Sequence, residues 1–303
     1  MDKDELLSDH EEDDYEEEEE DMEVKSIEKP VEKVIFLAEF TGGYIVRQFF
    51  EFCDKLIIPG IPFYFKEKEI TIRTGTSGTK NSRRLISNVD IDTDDIIDYY
   101  LNMDQVNLSG DDETESCYVE QFNIDWVKTF LRNIGKSGRV KFHKTTGSDT
   151  VHVTIHSEAT VKTGVKSSKP QAIEYDVSAF EDWSDAPNIK IGMTQFCDSM
   201  KGMFRGKSGH TCFRVFPKGL YLESCSGNGS MSKNGYFGEV IEDPDEDDYF
   251  ETNVNTSVMK ALQKINGMCY NSIVKISSEE NGHLLISHRV GDFGRHQIYL
   301  FDS

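Results

Sequence analysis

NIKIGMTQFCDSMKGMFRGKSGHTCFRVFPKGLYLESCSGNGS, residues 188–230, holds one complete supersecondary unit. Asn188–Ile191 reads as a short strand. Thr194–Lys207 then sets Phe196, Cys197, Met200, Met203 and Phe204 at the i, i+3, i+4, i+7 spacing of a helix with one face on a core. Thr211–Phe216 and Gly219–Ser224 are rich in Val, Phe, Leu and Tyr, the pattern of strands, and a glycine-rich turn closes the unit.

The unit recurs on both sides of this stretch. Gly43–Ile57 repeats the helical spacing with Ile45, Val46, Phe49, Phe50, Cys53 and Leu56. Ile124–Gly135 does so with Val127, Phe130, Leu131 and Ile134, and Thr256–Asn271 with Val258, Met259, Leu262, Ile265 and Met268. Asn123 or Asp125, Thr194, and Asn255 or Thr256 are the N-cap candidates. Further strands are expected at Val34–Phe40, Ile61–Phe65, Glu69–Arg73, Arg84–Val89, Arg139–Phe142, Thr150–His156 and Ala172–Val177. The second half adds Gly235–Ile241, Ser272–Ser277, His283–His288 and Arg295–Phe301. Four such units, two on each side of about residue 178, indicate duplicated supersecondary structure. The expected class is α+β, with antiparallel sheets backed by helices. The expected organisation is an acidic tail over 1–33, a first domain over 34–177, a connector loop over 178–187 and a similar second domain over 188–303.

The charge is uneven. Residues 1–33 carry seventeen acids and four lysines, a net of −13 out of the chain's −22, which leaves −9 for the remaining 270 residues. So polar a segment lacks the apolar residues to offset ordering entropy and is expected to be disordered. It reads either as a solubilising tail or as one that competes with nucleic acid or docks on basic partners. An acidic chain repels phosphate over most of its surface, so any DNA contact must be concentrated. The polar faces of the helices supply such concentrations. Lys128, Arg132 and Lys136 lie four apart on the second helix, Lys201 and Arg205 on the third, with Lys207 at its end, and Lys260 and Lys264 on the fourth. On the first helix Arg47 and Lys55 share a face with Glu51. Lysine-rich helix faces also serve solubility; as phosphate contacts these residues would carry no base-specific information.

Several chemistries have no sequence support. GxxxxGK[ST], GxSxG and HExxH are all missing from the sequence. Cys53, Cys117, Cys197, Cys212, Cys225 and Cys269 show no CxxC or metal spacing, and reduced thiols are expected. Acids at Asp92–Asp95 and Glu242–Asp248 have ligand types suited to Mg²⁺ but read as solvated loops. GTSGTKNS (75–82) reads as a hairpin turn, or as a DNA-facing loop through Lys80, Arg83 and Arg84. A non-enzymatic protein with no catalytic residue, metal or cofactor is the expectation. No apolar run reaches the roughly 18 residues of a membrane span and the first 30 residues have no basic leader, so neither membrane insertion nor secretion is expected.

The segment order resembles a known family, the DNA sliding clamps of the proliferating-cell-nuclear-antigen (PCNA) type found in eukaryotes, archaea and large viruses. Four stretches carry the resemblance: FTGGYIVRQFFEFCDKLI (40–57), FNIDWVKTFLRNIGKSGRVKF (122–142), the opening unit at 188–230, and HLLISHRVGDFGRHQIYLFDS (283–303). The resemblance implies two clamp domains per chain and a homotrimeric ring, sheets outside and two helices per domain lining a channel for duplex DNA. The DNA-facing positions would be Arg47, Lys55, Lys128, Arg132, Lys136, Lys201, Arg205, Lys207, Lys260 and Lys264. Subunits would join edge to edge through Gln171, Ile173 and Tyr175 of one chain and Tyr236, Gly238 and Val240 of the next. A partner-peptide pocket would involve Phe180 and Trp183 of the connector and Tyr299 and Phe301 near the C-terminus. A DNA polymerase, other replication and repair proteins with clamp-binding motifs, and a clamp loader are the implied partners, in the nucleus or at an intracellular site of viral DNA replication. The connector is shorter than in the family, Phe301-Asp302 stands where the family ends in Ala-Pro, and the acidic tail is atypical; these departures suit a viral or fast-evolving member. The alternative expectation is a clamp-derived processivity or transcription factor that does not encircle DNA.

Overall fold

In the computed structural model, residues 33–301 are described, except 57, 59, 77–83, 106–116, 157–160, 166–188, 204–208, 227–230, 239–248, 270–271 and 279–282. The unit that opens the second half forms as its periodicity predicts: β10 (Ile189–Gly192), α3 (Met193–Gly202), β11 (Gly209–Phe216) and β12 (Gly219–Ser226), continued by β13 (Met231–Gly238), β14 (Phe250–Asn255), α4 (Thr256–Leu262), β15 (Ile273–Ser278), β16 (Leu284–Val290) and β17 (Gly294–Phe301). The first half runs β1 (Val34–Phe40), α1 (Gly43–Lys55), β2 (Gly60–Phe65), β3 (Glu69–Thr76), β4 (Arg84–Asp92), β5 (Asp98–Leu101), β6 (Tyr118–Asn123), α2 (Ile124–Phe130), β7 (Arg139–Thr145), β8 (His152–His156) and β9 (Val161–Val165).

Local chemistry fixes the helix starts. The Asn123 side chain accepts from the Trp126 N–H at 3.0 Å, and Asn255 from the Val258 N–H at 3.0 Å, so the asparagine is the cap in both cases. Thr194 is not a cap: α3 starts one residue earlier, after Gly192, with no side-chain bond. The helices are shorter than their apolar periodicity. α2 loosens into turns after Phe130, and α4 gives way to a 3₁₀ turn at Gln263–Gly267. Strands β5, β6, β9 and β14 had no clear alternation to announce them. The strand expected at Ala172–Val177 lies outside the described residues.

The two halves repeat one topology. In the first, β6-β2-β3-β4 form one sheet and β5-β1-β7-β8-β9 another; in the second, β14-β11-β12-β13 and β10-β15-β16-β17 follow the same order. All pairings among the described residues are antiparallel. β17 pairs with β4 over eight residues, from Gly294↔Ile91 to Phe301↔Arg84, and fuses one sheet of each half into an eight-stranded sheet. The core beneath α1 is aromatic: Phe63 lies 4.5 Å from Phe122 and about 6 Å from Phe50, Phe65 and Phe142, centroid to centroid. Beneath α3 and α4 aliphatic residues dominate and methionines fill in among them, with Met193, Met200, Met259 and Met268 fully or almost fully buried.

Candidate nucleic-acid interface

Each helix turns an apolar face to a sheet. α1 buries Val46, Phe49, Phe50, Phe52 and Cys53, α2 buries Ile124 and Val127, α3 buries Met193, Phe196, Cys197 and Met200, and α4 buries Val258, Met259, Ala261 and Leu262. α1 packs against α2 and also against α4 and its 3₁₀ turn; α3 packs against the same turn and α4. The four therefore make a row in the order α2, α1, α4, α3. Gly267 allows the turn to approach α1 closely, because a Cβ there would lie 2.5 Å from the Gln48 side chain.

The polar faces of this row carry the expected cations, and four acids among them. Over 43–55, 124–138, 193–203 and 256–268 there are eight lysines and arginines and four acids, a net of +4 in a chain of −22. The acids are matched to the cations. Lys128 on α2 reaches Asp54 on α1 at 2.7 Å and Asp125 at 3.4 Å. Lys264 reaches back to Glu51 on α1 at 2.6 Å, and Arg47 meets the same carboxylate at 2.8 Å. Arg47 also donates to the Arg132 carbonyl at 2.8 Å, tying α1 to the end of α2. Lys55 lies 3.5 Å from Asp54, and Lys201 lies 2.8 Å from Asp198.

These pairings set protonation and field. Burial pushes the Glu51 carboxyl up, but Lys264 and Arg47 outweigh it and hold it below the ordinary value. Asp54 behaves alike, burial opposing and Lys128 and Lys55 prevailing. The Asp54 hydrogen bond raises Lys128, and Asp198 raises Lys201. Such half-exposed pairs add little stability. Their larger effect is to cancel charge that would otherwise face an anion. Arg132 and Lys260 are exposed with no acidic partner among the described residues. Lys136 is exposed but engaged in a further contact. Arg205 and Lys207 lie outside the described residues.

The remaining expected site residues are partly placed. Tyr299 sits on β17 between Leu285 of β16 and Ile86 of β4, 5% exposed, and burial pushes its hydroxyl up to about 12. Phe180, Trp183, Gln171, Ile173, Tyr175 and Val240 lie outside the described residues, as do the side chains of Tyr236 and Phe301. The backbones of Tyr236 and Gly238 belong to β13; among the described residues β13 is the last strand of its sheet and β9 the last strand of the corresponding first-half sheet. Among the described residues, no group of three or more His, Cys, Asp or Glu is arranged to hold a metal ion.

Spacing alone missed two features. One is the pairing of Lys128 and Lys264 with acids on α1, which needs the helix row to be known. The other is a buried pair, His288 on β16 opposite His296 on β17, with ring centroids 4.8 Å apart and Ser87 Oγ 2.7 Å from His296 Nε2. Their placement in HRVGDFGRH gave no sign of burial, since His is as often exposed.

No protein-family model and no curated protein sequence matches the chain. Solved structures do. The PCNA of Entamoeba histolytica superposes with a TM-score of 0.65 at 11% identity, covering 89% of this chain and 99% of that one. A chain of the PCNA2–PCNA3 complex from Sulfolobus tokodaii gives a TM-score of 0.62 at 13% identity, over 88% and 98%. At such identities the likeness is one of fold: mostly antiparallel sheets and four helices in two similar domains.

Proposed function

We propose that this chain, which has the fold of the PCNA sliding clamps, is a non-enzymatic processivity factor that closes into a homotrimeric ring around duplex DNA and tethers a polymerase and other replication or repair proteins. The observation that carries this reading is the repeat of edges. Within one chain the last strand of the second half, β17, pairs with β4 of the first half. The strands in equivalent positions, β9 and β13, are sheet edges among the described residues. A copy that repeats the β17·β4 junction between chains joins β13 of one to β9 of the next. Such head-to-tail contacts generate a ring when the rotation closes and cover edges that invite aggregation. Tethering by topology raises the effective concentration of a partner without a tight DNA contact.

The oligomer is the first test. Light scattering on the purified protein is expected to give about 104 kDa, three chains of 34.6 kDa. Val240→Pro, two residues beyond β13, is expected to reduce this to a single chain. A mutant that still forms trimers would overturn the edge pairing. The proposed site of action is wherever DNA replicates inside the cell.

The helix row is the proposed DNA-facing surface, and its acids make a second prediction. Glu51→Gln with Asp54→Asn removes the carboxylates that hold Arg47, Lys264 and Lys55 and leaves Lys128 with Asp125 alone. Duplex binding is then expected to strengthen, with the log–log salt dependence steeper by roughly 2–3. Anisotropy titrations on labelled duplex between about 50 and 200 mM salt read this directly. An unchanged slope would remove the row from the DNA contact. The same half-neutralised row favours the second reading, a clamp-derived factor that touches DNA without encircling it. Retention of the protein on closed circular DNA but not on linear DNA separates the two.

A further inference from the structure

Among the described residues the five-stranded sheet ends on β5, and this edge is unlike the rest of their surface. Four large apolar side chains are exposed among the described residues, and three fall within seven positions here: Ile97 (42%), Tyr100 (49%) and Met103 (45%). They stand just before, within and just after the strand. Among the described residues β5 has only β1 as a neighbour. The Asn102 N–H donates to the Ile35 carbonyl at 2.8 Å, while Tyr100 lies opposite Leu37 and Asp98 opposite Glu39. Antiparallel bonding alternates along a strand, so Asp98, Tyr100 and Asn102 bond to β1 and the backbone groups of Tyr99 and Leu101 point out of the sheet. Edges are commonly blunted by shortness, by charge, lysine above all, or by proline. This one is four residues long and its charge is all negative: residues 85–127 contain no lysine, arginine or proline, and Asp94, Asp95, Asp98 and Asp104 are all exposed around the strand.

We propose that β5 is a docking edge for a partner protein segment that binds as an added strand, with lysine or arginine alternating with apolar residues. The outward backbone groups of Tyr99 and Leu101 supply the ladder. Ile97, Tyr100 and Met103 supply apolar contacts, and the four aspartates select a basic segment. Charge argues against a second copy's β5 as the occupant, since it would set the aspartates against one another. The proposal is independent of whether the chain encircles DNA.

The probe is a labelled peptide of alternating leucine and lysine, about eight residues or one strand long, with an alternating leucine–glutamate peptide as control. Binding is read by anisotropy on the full chain near physiological salt. The lysine peptide is expected to bind and to slow hydrogen exchange at the Tyr99 and Leu101 amides. Tyr100→Ser with Met103→Ser is expected to weaken it by about tenfold or more, and Asp98→Lys with Asp104→Lys to shift preference to the glutamate peptide. Absence of binding, binding indifferent to the Tyr100 and Met103 changes, or Tyr99 and Leu101 amides already protected in the free protein would each overturn it. Exchange on the unaltered chain decides the matter if a variant does not fold.

Discussion

Lowering the pH from about 7 to about 4 is expected to remove about 3 kcal/mol of stability through His288 alone. His288 is 3% exposed on β16 and His296 is fully buried on β17, at the junction that fuses the two halves. The rings lie beneath α1, with His296 edge-on to Phe49 and Phe52 at 6.1 and 5.0 Å. His288 Nδ1 is 2.8 Å from the Arg289 carbonyl and His296 Nε2 is 2.7 Å from Ser87 Oγ; the other ring nitrogens have no partner among the described residues. Burial therefore pushes His288 down to about 4, from an ordinary 6.5, and burial and then His288 itself push His296 well below the same ordinary value. Both rings are neutral in the folded chain and take up protons on unfolding. The folded state accordingly loses stability as pH falls below 6.5, until the folded values are reached. Glu51, Asp54 and Glu251, all held low, lose stability only at the acid end of this range, and Asp90, pushed up by burial, acts in the opposite direction. Urea unfolding at pH 7, 5.5 and 4 measures the slope, and His288→Gln is expected to flatten it. An equal slope in that variant would place the acid sensitivity elsewhere.

Phe63→Ala is expected to cost about 3–5 kcal/mol, the range for deleting a buried aromatic ring. The side chain is 2% exposed, and four other phenylalanine rings surround it, from α1, β2, β6 and β7. Collapse into the space would require several stiff rings from different elements to move together, so most of the void persists. Phe63→Leu keeps much of the volume and is expected to cost less than half as much. Denaturant unfolding of the two variants side by side checks the ratio; equal, small losses would mean the site repacks freely.

The helices and most strands were legible because burial leaves a periodic trace. An amphipathic helix on a sheet needs apolar residues every three or four positions, as in Val46, Phe49, Phe50 and Cys53, and a half-buried strand needs them every second position. The repeat of units, and with it the two-domain α+β architecture, follows from that trace alone. Helix ends were less legible: α2 and α4 stop before their apolar stripes do, because Leu131, Ile134 and Ile265 bury from turns as well as from helix. β5 left little signal, since Tyr100 is exposed and Asp98 is polar. The cations were legible residue by residue, but not their state. Only the packing of α1 between α2 and α4 brings Asp54 to Lys128 and Glu51 to Lys264, across 74 and 213 positions of sequence. Which faces of each element are apolar is a local property of spacing and can be read directly from the residues. Which charges cancel, which histidines lose water and which edges of the described residues stay open follow only from packing, because they depend on contacts between residues that no local pattern connects.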